Sequence, residues 1–234
     1  DVQDIDIFVV LPSEKDTTLF SKSIEKLDFG KDFEMKVVHG SRDYVQLIGE
    51  KITIELIPTV LVKNPEDAEN VTDVSLFHVD YVKSEIEKNP TVADDILLAK
   101  AFCSSQGCYG AEGYIRGFSG YALEVLVLHF GSFLDFLKKV GTKNVIDPAK
   151  HFAKEKDALY HINSAKLQGP LIVVDPTYKY RNVTAGSGKE TYHKFLDVAQ
   201  AFVKKPSRDF FVKQELDVTE LKKIAEKKKA TLFV

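Results

Sequence analysis

The apolar residues of this chain change their spacing after residue 64, and this change limits the folds open to it. Before that point, apolar and polar residues alternate in short segments such as 4–7 and 51–56, which is typical of β-strands. After Lys63-Asn64-Pro65, longer segments carry the spacing of helices. A strand-rich N-terminal part followed by a mainly helical part predicts an α+β fold.

The same patterns predict individual elements. Strands are expected at 5–11, 33–38, 44–48, 51–58 and 166–175, and a last one at 231–234. Helices are expected at 17–27, 81–87, 93–105, 119–140, 191–204 and 218–229. The segment 119–140 is the longest of these and apolar most of the way round, which predicts a buried central helix. We expect three parts, namely a partial sheet domain at 1–64, a helical domain at 65–205 that includes strand 170–175, and the start of a further domain at 206–234.

Composition excludes several classes of protein. The 234 residues are 44% hydrophobic and 29% charged, which excludes a disordered or collagen-like chain. No apolar stretch is long enough for a membrane span and no signal peptide opens the chain, so we expect a cytoplasmic protein. The net charge of −3 does not by itself indicate nucleic-acid binding. Cys103 and Cys108 lack zinc-ligand spacing and are predicted to be reduced thiols. Because the chain opens at Asp1 and not at Met, we expect a piece of a longer protein.

Three carboxylates form the first candidate site. Asp4 and Asp6 alternate with Ile5 and Ile7 on the first predicted strand, so the two acids share one face and the isoleucines are expected to enter a core. Neighbouring carboxylates repel unless a cation lies between them. If the strand that carries Glu55 is adjacent, the three acids converge on a site for two divalent metals, as used in nucleotidyl transfer. A solvent-exposed strand face is the alternative explanation.

Longer motifs in the rest of the chain help to decide between a metal site and an exposed strand face. The segments YGAEGYIRGFSGYALEVLVLHFGSF (109–133), VVDPTYKYRNV (173–183) and FVKKPSRDFF (202–211) follow DIDIFVVLP and ITIELIP in order. Together they resemble the archaeal-type (class I) CCA-adding enzymes, which are tRNA nucleotidyltransferases, over almost the whole chain. The resemblance implies a partial palm sheet of the DNA polymerase β type, followed by a mainly helical central domain.

The resemblance also implies roles for individual residues. Asp4, Asp6 and Glu55 correspond to catalytic ligands of two Mg²⁺ ions. Ser75 and His78 match residues near the sugar and phosphates of the incoming nucleotide, Lys100 and Tyr109 match contacts to its triphosphate, and Arg181, next to Asp175, matches a residue that selects its base. The implied activity adds CCA without a template to the 3′ end of tRNA, from CTP and ATP, and releases pyrophosphate. The implied partners are the tRNA acceptor end and a second copy of the chain.

Some features depart from the family pattern. The family places a Gly-Ser motif before the carboxylate pair, usually has Asp where this chain has Glu55, and continues into a tail domain. We therefore expect this chain by itself to be inactive. Candidate tRNA contacts are Lys204, Lys205, Arg208, Lys222, Lys223 and Lys227 to Lys229.

Other interpretations remain open. Arg116 either contacts RNA or pairs with Glu124, and Gly117, Ser119 and Gly120 are expected to shape a helix entry. The carboxylates and helical domain also suit a poly(A) polymerase or an oligoadenylate synthetase. A non-catalytic RNA-binding remnant is the third hypothesis.

Overall fold

The computed structural model describes residues 3–213. These divide into two compact units. The first contains the chain up to Lys88 together with Pro176–Tyr178, and the second runs from Asn89 to Asp175 and resumes at Lys179. The contacts separate the two units after Lys88, later than the predicted boundary after residue 64. The predicted domain boundaries themselves stay a prediction. The predicted elements 218–229 and 231–234, with their lysines, lie outside the described residues.

The first unit is a four-stranded sheet with two helices. Its elements are β1 (Gln3–Leu11), α1 (Glu14–Ile24), β2 (Glu34–Val38), β3 (Tyr44–Ile48), β4 (Ile52–Val60) and α2 (Val71–Lys88). The strand order is β1-β4-β3-β2, with β1 parallel to β4 and the other pairs antiparallel. The first four predicted strands are therefore present with bounds shifted by at most two residues. Helix α2 begins ten residues before the predicted start at 81.

The core of this unit lies between α1 and one face of the sheet. Phe20 of α1 packs with Val45 and Leu47, and the apolar residues at the end of β1, Val9 and Leu11, pack against this cluster. The prediction that Ile5 and Ile7 enter a core is wrong, because each is 43% exposed. The reason is that β1 lies at the edge of the sheet, and the cluster under α1 contains Val9 and Leu11 from its far end.

The second unit is mainly helical. Its elements are α3 (Val92–Ser105), α4 (Gly120–Phe130), α5 (Phe133–Lys139), β5 (Val145–Ile146), α6 (Ala158–His161), β6 (Ile172–Val173) and α7 (Lys189–Lys204). Its core is rich in aromatic rings, with Phe118, Phe136 and Phe195 in mutual contact. The predicted strand at 166–175 shrinks to the two residues of β6, which pair in parallel with β5.

The predicted continuous helix 119–140 is wrong. Gly131 ends α4 in the left-handed conformation, with φ of 85°, and the hydroxyl of Ser132 accepts a hydrogen bond from the Asp135 amide to start α5. An αL residue followed by a capping serine stops one helix and begins another. Within residues 3–213, no single helix is long and apolar enough to cross a membrane, and only the pair Gly120–Phe130 and Phe133–Thr142, bent by 91°, reaches that length and composition together.

Candidate active site

A row of polar side chains crosses one face of the first unit's sheet. Asp6 is the register partner of Glu55 across the parallel strands β1 and β4, and Glu55 is in turn the partner of Gln46 on β3. Because register partners share a face, Asp6 and Glu55 lie side by side, and Asp4 lies on the same face two residues away. The sheet therefore places all three predicted carboxylates on one surface.

Their charges influence one another. Desolvation raises the pKa of Asp6, and the nearby carboxylate of Asp4 raises it further. Desolvation likewise raises the pKa of Tyr44, with added contributions from Glu55 and Asp6. A raised carboxyl pKa means that the ionised form is disfavoured there. A cation bound at this face would relieve that cost.

The donor type of these residues suits Mg²⁺, which prefers carboxylate oxygens. Their present positions do not yet surround one ion, since the part of the chain that the structure describes contains no group of three His, Cys, Asp or Glu side chains placed to hold a metal together. Glu55 is held elsewhere, because it accepts a hydrogen bond of 2.6 Å from Nε2 of Gln46. Asp4 and Asp6 thus have the ligand type that Mg²⁺ prefers and lie on the same face of the sheet. Glu55 could join them as a ligand once its hydrogen bond to Gln46 is broken.

Ser75 and His78 lie on helix α2 of the same unit. They are three residues apart, so they occupy the same side of the helix. The hydroxyl of Ser75 donates to the carbonyl of Val71 at 3.4 Å, and His78 is buried. Their predicted contact with a nucleotide stays a prediction.

A buried ion pair that the sequence analysis missed anchors the start of α2. Asp73, 1% exposed, accepts hydrogen bonds from both terminal nitrogens of Arg42 and from the Val60 amide at 2.8 Å. Burial alone would raise the pKa of Asp73, but these hydrogen bonds outweigh it and hold the pKa below its ordinary value. Arg42 also pairs with Glu14 at the start of α1. Arg42 lies in a turn, and its partners Glu14 and Asp73 lie in the first turns of α1 and α2. No local pattern links these three positions, so only the tertiary contacts reveal this network.

Lys100 and Tyr109 come together in the second unit beside Gly120. A Cβ at Gly120 would lie 3.0 Å from the Tyr109 hydroxyl and 3.8 Å from Nζ of Lys100. The absence of a side chain at Gly120 therefore leaves room for both polar groups. Lys100 is paired with Glu124 at 2.5 Å. The predicted option of an Arg116–Glu124 pair is therefore wrong, because Glu124 binds Lys100.

Arg181 is fixed in a separate cluster around a fully buried carboxylate. Its Nη1 donates to Oδ2 of Asp175 at 2.7 Å, while the hydroxyl of Tyr121 donates to Oδ1 at 3.0 Å. The Arg181 guanidinium also lies 5.9 Å from the centre of the Tyr121 ring. The apolar pattern of 119–140 does not reveal this role of Tyr121, because the spacing of a helix does not distinguish a core tyrosine from one that binds a carboxylate.

The segment Arg116–Tyr121 mainly shapes the helix entry, as expected. The Ser119 hydroxyl caps α4 by accepting from the Ala122 amide at 3.2 Å. Any side chain at Gly117 would overlap the carbonyl of Cys108. Cys103 and Cys108 are free and buried, as predicted for reduced thiols. Among the candidate tRNA contacts within the described range, Lys204, Lys205 and Arg208 are exposed.

Comparison with known proteins identifies the family. Residues 94–212 match the family model described as tRNA nucleotidyltransferase, second domain. The chain is 38% identical over 186 residues to the CCA-adding enzyme of Nanoarchaeum equitans, covering 78% of this chain and 47% of that protein. It is 32% identical over 222 residues to that of Thermococcus gammatolerans, covering 91% and 48%. The chain therefore spans about half the length of these relatives.

Solved structures support the fold. A cytoplasmic RNA terminal U-transferase matches with a TM-score of 0.63 at 12% identity, covering 92% of this chain and 81% of that one. The Cid1 poly(U) polymerase bound to Mg 3′-dATP matches equally well over 91% and 81%. At such identity these likenesses concern the fold alone, and they agree with the predicted α+β nucleotidyltransferase class. The family match and the archaeal relatives go further: the chain belongs to the family of archaeal-type CCA-adding tRNA nucleotidyltransferases.

Proposed function

We propose that the protein adds C, C and A to the 3′ end of tRNA from CTP and ATP, without a template and with release of pyrophosphate. The observation that carries this proposal is the placement of Asp4, Asp6 and Glu55 on one sheet face in a chain of this family. The relatives are named CCA-adding enzymes, which supports tRNA as the substrate. Homodimer formation remains a prediction from the resemblance, and a cytoplasmic location remains a prediction from the sequence.

Asp4, Asp6 and Glu55 would hold two Mg²⁺ ions. Bound there, the ions would supply positive charge to the attacking hydroxyl and the leaving pyrophosphate. The side chain of Glu55 must first exchange its hydrogen bond with Gln46 for a metal ligand role.

Residues of the second unit would bind the nucleotide. The ammonium of Lys100 and the hydroxyl of Tyr109 lie together beside Gly120, where they can donate to phosphate oxygens. Asp175 and the Tyr121 ring fix the plane of the Arg181 guanidinium. A guanidinium of fixed orientation can distinguish the edges of C and A by its hydrogen bonds.

Nucleotide incorporation tests the proposal. The full-length protein is incubated with tRNA that ends before CCA, with Mg²⁺ and labelled CTP and ATP, and compared with its Asp6→Ala variant. Glu34→Gln is the matched control, because Glu34 lies on the same face but on β2, about 14 Å from Asp4 at ~4.8 Å per strand. We expect addition of C, C, then A, lost in Asp6→Ala and retained in the control.

Other outcomes would point to the alternative functions. Long A tails would indicate a poly(A) polymerase, and 2′-linked oligoadenylates would indicate an oligoadenylate synthetase. Salt-sensitive tRNA binding without incorporation would indicate an RNA-binding module. Calorimetry with CTP in the presence and absence of Mg²⁺ separates this last class, because such a module would bind no nucleotide in a Mg²⁺-dependent way.

A further inference from the structure

The second unit contains a cavity whose lining includes none of the predicted catalytic or nucleotide-binding residues. It has a volume of about 400 Å³ and is bordered by the loop that ends at Arg116 and by the first residues of α7. Three cationic side chains line it, namely Arg116, Lys189 and Lys194, and a single carboxylate, that of Glu190, accompanies them. The cavity is therefore positively charged in a chain whose net charge is −3.

These cations are available to a ligand. All three residues are exposed, and within residues 3–213 none of them forms an ion pair with a carboxylate. The ammonium of Lys194 points toward the loop, since a Cβ at Gly107 would lie 3.2 Å from its Nζ. Three unpaired cations around one cavity repel each other, so a bound polyanion would lower their energy.

The loop is tied to α7, so the cavity exists before any ligand binds. The Gly188 amide donates to the carbonyl of Arg116 at 2.7 Å, and the Thr191 hydroxyl donates to the carbonyl of Ile115 at 2.7 Å. The Ser187 hydroxyl adds a hydrogen bond of 2.9 Å to the carbonyl of Gly117. Prior ordering of this kind lowers the entropic cost of binding.

An aromatic ring stands at the same cavity. Tyr114 is 87% exposed, which is unusual for a tyrosine, and it lines the cavity with Arg116. Cationic grooves with exposed aromatic rings bind single-stranded nucleic acid, because the cations contact phosphates and the ring stacks on a base. A small anion would use the cations and leave the ring without a function.

We propose that this cavity binds the sugar–phosphate backbone of the RNA substrate, with Arg116, Lys189 and Lys194 on phosphates and Tyr114 stacked on a base or ribose. The proposal rests on the proposed function for the identity of the RNA. It assigns an RNA contact to Arg116, which the sequence alone left undecided, and it adds three residues that the sequence analysis did not consider.

The test measures the affinity of the full-length protein for tRNA that ends before CCA, over a series of salt concentrations. Arg116→Gln, Lys189→Gln and Lys194→Gln each remove one charge, and Lys138→Gln is the matched control because Lys138 is an exposed lysine on α5. Each cavity variant should reduce the slope of log affinity against log salt by about 0.7, the value for a single strand, and the triple variant should bind about tenfold more weakly or worse. The control should change neither quantity.

Tyr114 is tested separately. Tyr114→Ala should weaken binding by about fivefold to a hundredfold without changing the salt slope, and Tyr114→Phe should retain affinity because the ring remains. A triple variant that binds tRNA with the affinity and salt slope of the wild type would overturn the proposal, as would equal effects from Lys138→Gln. Circular dichroism confirms folding of each variant.

The outcome is separable from that of the proposed function. If the wild type binds tRNA through these residues but incorporates no nucleotide, the enzyme proposal fails and the RNA site stands. If the wild type incorporates C, C and A while the cavity variants bind tRNA normally, the proposed function stands and the proposed RNA site fails.

Discussion

Nζ of Lys100 lies 2.5 Å from Oε1 of Glu124, so the cation predicted to contact a triphosphate already forms an ion pair between α3 and α4. Both side chains are partly exposed, and Gly120 and Tyr109 lie beside them. A bound triphosphate would therefore compete with Glu124 for the ammonium. Because of this competition, substitutions of Lys100 and Glu124 should change the KM for the nucleotides in opposite directions.

Lys100→Met should raise the KM for CTP and ATP by about tenfold or more, because a hydrogen bond from a charged group contributes about 1.5–3 kcal/mol. Glu124→Gln should lower the KM, since the ammonium is then no longer shared with a carboxylate. Steady-state kinetics with each nucleotide measures both. If Glu124→Gln instead raises KM as much as Lys100→Met does, Glu124 orients the lysine and does not compete for it.

Asp6 should couple stability to both pH and Mg²⁺. Its pKa is raised in the folded chain, so ionising it costs more in the folded state than in the unfolded state. Without metal, this destabilisation should appear as the pH rises from 3.8 through the folded pKa, and it persists at pH 7. Asp6→Asn should therefore raise the Tm at pH 7 in EDTA. Mg²⁺ should raise the Tm of the wild type and not that of Asp6→Asn. Scanning calorimetry measures both Tm values. An equal increase of the Tm in the two proteins would exclude Asp6 as a ligand.

The cluster of Tyr121, Asp175 and Arg181 should control the choice between CTP and ATP. Tyr121→Phe removes one hydrogen bond to a fully buried carboxylate, which should cost about 1.5–3 kcal/mol of stability because the acceptor is charged. It should also reduce the discrimination between the two nucleotides, because Asp175 then holds Arg181 less firmly. The ratio of kcat/KM for CTP and ATP at each addition step measures this. Tyr192→Phe is a control, since its hydroxyl also donates within this unit, at 3.4 Å to the carbonyl of Val140; a similar loss of discrimination there would contradict a specific role of Tyr121.

The Arg42–Asp73 pair should dominate the stability of the first unit. Asp73→Asn should reduce the free energy of unfolding by about 3–5 kcal/mol at pH 7, because it leaves buried Arg42 without its main counter-charge. The folded pKa of Asp73 lies below its ordinary 3.8, so its carboxylate stabilises the fold above that pH and loses this effect as the pH falls through the folded value. Urea unfolding should thus show a wild-type advantage that narrows below pH 3.8. A constant difference down to pH 2 would exclude this linkage.

Gly117 should tolerate no side chain. Gly117→Ala would push a methyl group against the Cys108 carbonyl, and overpacking of this kind costs about 1–3 kcal/mol. Gly113→Ala is the matched control, because nothing lies within 4 Å of its added Cβ. Thermal unfolding should separate the two variants by several degrees, and equal Tm values would mean that the loop moves to accommodate the methyl group.

Local patterns determined much of the secondary structure and the family. The alternation of apolar residues predicted the first four strands within two residues, because side chains alternate faces along any strand. The segments 109–133 and 173–183 carried the resemblance that the family match confirms. The pairing of Asp4 and Asp6 on one face also follows from strand periodicity, without knowledge of the fold.

Burial, helix breaks and long-range contacts were decided only by the tertiary structure, because they depend on which elements become neighbours. Ile5 and Ile7 look like core residues by pattern, but an edge strand that α1 covers only in part leaves them exposed. A single αL glycine at 131 divides a helix whose apolar pattern is continuous. The parallel pairing of β1 with β4 places Glu55 beside Asp6, and packing of α3 on α4 gives Lys100 the partner Glu124. Residues 49 or 24 positions apart in sequence meet only when the chain has folded, so no local pattern encodes their contact.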